Sequence, residues 1–138
     1  MTRAQILPDV QAAIAAALPT ITVVNNDFGT AASAAMESAL RSTGYVIALR
    51  PILGSKLIAQ KGVRIIEDVT LCAHVRWNPT KAPSFACAAT IDAILVCVST
   101  QTLGGKVGHG DGRVTELIAD DAGLQTTAVY FTCVANNS

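Results

Sequence analysis

The sequence predicts an α+β domain: a mixed or mainly antiparallel sheet with about three helices packed on one side. Three observations carry that expectation. From Gly62 to Trp77, the residues Val63, Ile65, Val69, Leu71, Ala73, Val75 and Trp77 take alternate positions, while Arg64, Asp68, Thr70, His74 and Arg76 take the others. That is the period-2 pattern of a strand with one buried face. Elsewhere, apolar residues recur at steps of three and four, as on a helix with one buried stripe. The length of 138 residues suits one domain, in which roughly 68–70% of the unfolded surface can be buried without metal or disulfide staples.

Each element has its own signal. Pro8 to Leu18 reads as a first helix, with Pro8 in the first turn, Asp9 at the positive end, and Val10, Ala13, Ile14, Ala17 and Leu18 on one face before Pro19 ends it. Thr20 to Val24 is almost wholly β-branched and reads as a strand, and Asn25-Asn26-Asp27 turns the chain. Thr30 is placed to cap a second helix whose stripe is Ala32, Ala35, Met36, Ala39 and Leu40, stopped by Gly44. Tyr45-Val46-Ile47-Ala48-Leu49 then reads as a short strand of the fully buried type, and Arg50 to Gln60, with Pro51 and Gly54, as irregular. Within the long strand from Gly62, Glu67 interrupts the inner row and Ile66 the outer one, so a bulge is expected near Ile66-Glu67-Asp68.

After a loop with Pro79 and Pro83, Ser84 is placed to cap a third helix carrying Ala88, Ile91, Leu95 and Val98, with a buried strand over Ile94 to Val98 as the weaker alternative. Asp92 is its only charge, so cover on more than one side is expected. Gly104, Gly105, Gly108, Gly110 and Gly112 make residues 104–112 a flexible loop, because no packed element tolerates that density of glycine. Arg113 to Ala119 and Leu124 to Val134 read as a closing antiparallel hairpin around Asp120-Asp121-Ala122-Gly123. No internal repeat and no second domain are expected.

Composition narrows the function classes. The chain is 51% hydrophobic and carries no net charge, which excludes intrinsic disorder and argues against a general nucleic-acid binder. Its charged fraction of 14% is low, against roughly 25% in an average soluble domain. The charge-free stretch Val10–Asn26 contains Pro19 and turns polar at Asn25, so neither a membrane span nor an export signal is expected, and the reading is a soluble intracellular protein.

No motif organises an active site. The glycine loop fits neither G-x-x-x-x-G-K-[ST] nor G-x-G-x-x-G, and it precedes a strand rather than a helix N-terminus. Cys72 and His74 form a Cys-x-His pair without the second close pair that structural zinc needs, and Cys72, Cys87, Cys97 and Cys133 read as small buried hydrophobes. Glu67-Asp68 and Asp120-Asp121 are sequence neighbours that point apart, so no acid and base roles follow. Neither cofactor nor metal is expected. Lys106, His109, Asp111 and Arg113 form a polar cluster that reads as a partner-contact loop.

The order of elements supplies a further expectation. The stretch Asn25-Asn26-Asp27-Phe28 through Leu40-Arg41-Ser42-Thr43-Gly44-Tyr45-Val46-Ile47, then a long strand ending at Trp77-Asn78-Pro79, an apolar helix, a glycine loop and a final hairpin, resembles the tail terminator and neck (head–tail joining) proteins of tailed bacteriophages. The likeness spans most of the chain and departs from the pattern at Trp77, where an acidic residue is expected ahead of Asn78. It implies a non-enzymatic virion protein, assembled in the bacterial host cytoplasm into a homo-oligomeric ring, most readily a hexamer. Such a ring contacts tail-tube or head-connector neighbours, and DNA passes through its lumen without specific binding. Arg64, Arg76, Lys106 and Arg113 are the cations to place in that picture. Two alternatives stand beside it: a small enzyme or ligand-binding domain using the Gly104–Gly112 loop and His109, and a dimeric module that pairs along an exposed sheet edge.

Overall fold

The computed structural model describes residues 1–26, 29–100, 103–108, 110–121 and 123–137, with backbone alone at 119–121. In chain order the elements are α1 (Arg3–Ala17), β1 (Val23–Asn25), α2 (Thr30–Ser42), β2 (Tyr45–Leu49), β3 (Gly54–Lys61), β4 (Arg64–Trp77), α3 (Cys87–Val98), β5 (Lys106–Val107), β6 (Thr115–Asp121) and β7 (Leu124–Asn137). The strands form one seven-stranded sheet, antiparallel except where β1 joins β2. The fold is α+β.

β4 and β7 are its spine, antiparallel from Ile65 opposite Asn137 to Trp77 opposite Gln125. The other edge of β4 is shared, with β2 alongside residues 73–77 and β3 alongside residues 64–70. β5 and β6 share the outer edge of β7. The closing hairpin is therefore present as β6 and β7, turning at Gly123 with φ +81°.

Strand alternation sorts the core into two layers. Ile47 and Leu49 of β2, Val69, Leu71, Ala73 and Val75 of β4, and Val129, Phe131, Cys133 and Ala135 of β7 face α1 and α3, meeting Ile6, Val10, Ile14, Ile94 and Val98. Val24, Val46 and Ala48 face the opposite way, onto Ala32, Met36 and Ala39 of α2. The expected placement of all helices on one side is thus corrected, since α2 covers the opposite face. The cause lies in β2, which is apolar at every position and needs cover on both sides. The alanine-rich stripe lets α2 approach its neighbours closely. Gly44 ends α2 at φ +87°, where a side chain would be strained, and its carbonyl accepts the Asn78 N–H at 2.7 Å.

Several boundaries differ from the expectations. α1 begins at Arg3, ahead of Pro8, because the Gln5 side chain accepts the Thr2 N–H at 3.0 Å and caps an earlier turn. Pro8 lies inside the helix on its exposed side, so the carbonyl left without a helical partner can meet water. The first strand is shorter than expected, Val23–Asn25, and α3 begins at Cys87 with Ala86 rather than Ser84 at its N-cap. α3 buries Thr90, Ile94 and Val98 and leaves Ala88 and Val96 exposed, so it is covered on one side of the isolated chain.

The piece expected to be irregular contains β3, exposed along nearly its whole length. The expected bulge lies on β3 too. Leu57 faces Glu67 and Ala59 faces Ile66, so Ile58 is the extra residue and β4 keeps its alternation. Glu67 belongs to the inner row, whereas Val63 stands 88% exposed in the turn between β3 and β4.

Candidate interaction surface

The inner position of Glu67 needs a compensating cation, and α1 supplies it. Arg3 Nε donates to Glu67 Oε1 at 2.7 Å and its Nη2 to Oε2 at 3.0 Å, a two-pronged contact. Arg3 also donates to the Ser55 hydroxyl, and Asn137 donates to Glu67 at 3.3 Å. The Arg3 hydrogen bond holds the Glu67 carboxyl below the usual carboxylate range. These contacts tie the N-terminus to the base of the β3–β4 hairpin.

Beyond that base β4 stays laddered to β7, while β3 on its other side has little cover. Leu57 and Ile58 on β3 are 57% and 50% exposed, and Ile65 on β4 is 39% exposed. Lys56 and Lys61 make no ion pair with the described residues. At the far edge of the sheet Leu117 on β6 is 73% exposed. Large apolar side chains therefore stand in water on both outer strands.

The sheet face that α2 leaves open is polar. Two clefts cross it: one of about 320 Å³ between Lys56, Asp68, Thr70, Gly110 and Thr132, and one of about 220 Å³ between Arg50, His74, Arg76, Ile118 and Thr126. Burial pushes His74 down to about 4, helped by Arg50 and Arg76, so the imidazole is neutral near neutral pH. Burial pushes the adjacent Cys72 thiol up to about 11. A thiolate–imidazolium nucleophile needs the opposite order, with a depressed thiol and a basic imidazole. Burial raises Cys133 to about 11 and raises Cys87 and Cys97 as well; Cys72 and Cys133 are buried as expected, whereas Cys87 and Cys97 on α3 are half-buried.

Of the four contact-loop residues, the structure brings two together. Arg113 Nε meets Asp111 Oδ2 at 2.7 Å and its Nη1 meets Glu116 Oε1 at 2.7 Å, with the guanidinium 5.4 Å from the Tyr130 ring centre. Tyr130 donates its hydroxyl to Glu116 at 2.7 Å, which pushes the phenol up to about 12. Glu116 and Tyr130 were not among the expected site residues. Lys106 lies apart on β5 opposite Thr132. His109 lies outside the described residues.

The glycine segment expected as a flexible loop is tied down at several points. Gly105 donates its N–H to the Val98 carbonyl at 2.9 Å, and a Cβ there would lie 2.1 Å from that same oxygen. Gly108 donates to the Tyr130 carbonyl at 3.1 Å, and β5 pairs with β7. Here glycine permits close approach, and Asp111 is held by Arg113 just beyond the segment.

Among the described residues no cluster of three metal-ligating side chains exists, and no helix is long and apolar enough to cross a membrane. The fold and surface define an α+β protein with a half-open polar sheet face, outer strands unpaired on one side among the described residues, and an exposed apolar strand at β3. Compared with known proteins, the chain matches no family model and no curated relative in sequence.

Proposed function

We propose that this chain is a non-enzymatic structural subunit that assembles with copies of itself into a ring, in the manner of the tail terminator and neck proteins its element order resembles. The β3–β4 arm carries this reading. A chain with 14% charged residues places Leu57, Ile58 and Val63 in water at 57%, 50% and 88% exposure, on a tethered hairpin whose outer edge has no partner strand among the described residues. Several large apolar side chains exposed on one hairpin mark an interaction site. The neutral His74 imidazole and protonated Cys72 thiol on the open face agree with a surface that makes contacts rather than chemistry.

In this reading the subunit sits at the head–tail interface or tail end of a phage particle, its copies form a ring of which the hexamer is the form the resemblance implies, and DNA passes through the lumen. Arg113 is held by Asp111 and Glu116, which lowers its pull on passing phosphates. The test is light scattering of the purified protein combined with its addition to tails that lack a completed end. Higher-order particles or stable incorporation into tails support the proposal. A monomer at every concentration that also fails to enter tails overturns it.

A further inference from the structure

Of the four strands with a single partner among the described residues, β1, β3, β5 and β6, two carry matching sequences of opposite charge. β3 contains Lys56-Leu57-Ile58-Ala59-Gln60-Lys61, and β6 contains Glu116-Leu117-Ile118-Ala119-Asp120-Asp121. Both have Leu-Ile-Ala at the centre, flanked in β3 by lysines and in β6 by carboxylates. Among the described residues, β3 pairs only with β4 and β6 only with β7, so each leaves one edge unpaired.

We propose that β3 of one copy pairs edge to edge with β6 of the next, extending the sheet from subunit to subunit. This rests on the ring reading above and supplies its subunit contact. Unpaired backbone groups along a strand edge are a template for another strand. The exposed Leu57, Ile58 and Leu117 would be covered by that pairing. Charge selects the partner. Two β3 edges bring lysines together and two β6 edges bring carboxylates together, whereas β3 against β6 sets basic ends against acidic ends, whether the strands run parallel or antiparallel. The contact is therefore head to tail, with different surfaces on its two sides, which gives a ring where the rotation between neighbours closes and a filament where it does not.

Charge exchange tests the pairing. Glu116 already holds Arg113 and Tyr130, so the acidic side is altered at Asp120 and Asp121. K56E/K61E and D120K/D121K, each shown folded by circular dichroism, are sized alone and as an equal mixture by sedimentation velocity. Each variant alone is expected to lose self-association at least about tenfold, from lost attraction and new repulsion. The mixture is expected to regain it, because each copy then meets an edge of opposite charge. L117N, at a 73% exposed position, is a second probe whose fold does not depend on the exchanged charges, and it is expected to weaken association. If wild type assembles and all three variants assemble equally well, the edge pairing is overturned and the ring reading stands with another contact. If wild type stays monomeric and does not enter tails, both are overturned.

Discussion

Acidification should destabilise this fold through His74, and the size of the effect follows from its surroundings. The half-buried imidazole lies on the open sheet face between Arg50 and Arg76, and burial is the larger cause of its depressed pKa of about 4, against 6.5 in an unfolded chain. Between those values the unfolded chain binds a proton that the folded chain refuses, so folding stability falls as the pH drops through 6.5 and the loss is complete below about 4. At about pH 5 the unfolded imidazole is protonated by a margin of about 1.5 pH units, worth about 2 kcal/mol at about 1.36 kcal/mol per unit. This is an upper figure, because the ring keeps some contact with water. For a chain of this size it lowers the unfolding midpoint by about 4–8 °C. His74→Asn removes the titration. Urea or thermal unfolding of both proteins near neutral pH and near pH 5 separates His74 from the carboxylates, which both proteins share. Wild type should lose up to about 2 kcal/mol more than H74N on acidification. Parallel losses would refute the assignment.

Three further outcomes are expected. Phe131→Ala, at a fully buried position in the larger core, should cost about 3–5 kcal/mol, read as a lower urea midpoint with unchanged slope. Gly105→Ala should destabilise by at least about 1 kcal/mol, because the added Cβ would lie 2.1 Å from the Val98 carbonyl oxygen; thermal melting checks it. Glu67→Gln should cost about 1 kcal/mol, kept low by the half-exposed Arg3 side of the pair. The lowered Glu67 pKa adds a sign to that last prediction: its stabilisation is present above the unfolded carboxylate pKa and is lost as the pH falls through the folded value, so the variant should melt more like wild type in acid.

The sequence was most legible where burial is one-sided. β4 announced itself because Val69 to Val75 alternate with polar residues, and β7 because its β-branched and aromatic residues left little else to form. β3 was hidden for the opposite reason, since Gly54 to Lys61 is exposed on both faces and shows no alternation, and only its ladder with β4 makes it a strand. The side chosen by α2 was implicit in β2, whose unbroken apolar run demands cover above and below. At the surface, Asp111 and Arg113 were found as sequence neighbours, while Tyr130 was missed because its contact with Glu116 spans the β6–β7 hairpin. Glu67 looked like a fault in a hydrophobic row until Arg3, far away in sequence, was placed beside it. The likeness between the β3 and β6 sequences gains meaning only from topology, which puts both on free edges.

Electron microscopy of concentrated wild-type protein beside K56E/K61E shows whether the chain builds rings through β3. Closed rings of a single subunit number are expected for wild type, and their loss in the variant. Wild-type protein that remains a dispersed monomer in the same fields, and leaves tail ends bare when mixed with them, would contradict the ring reading.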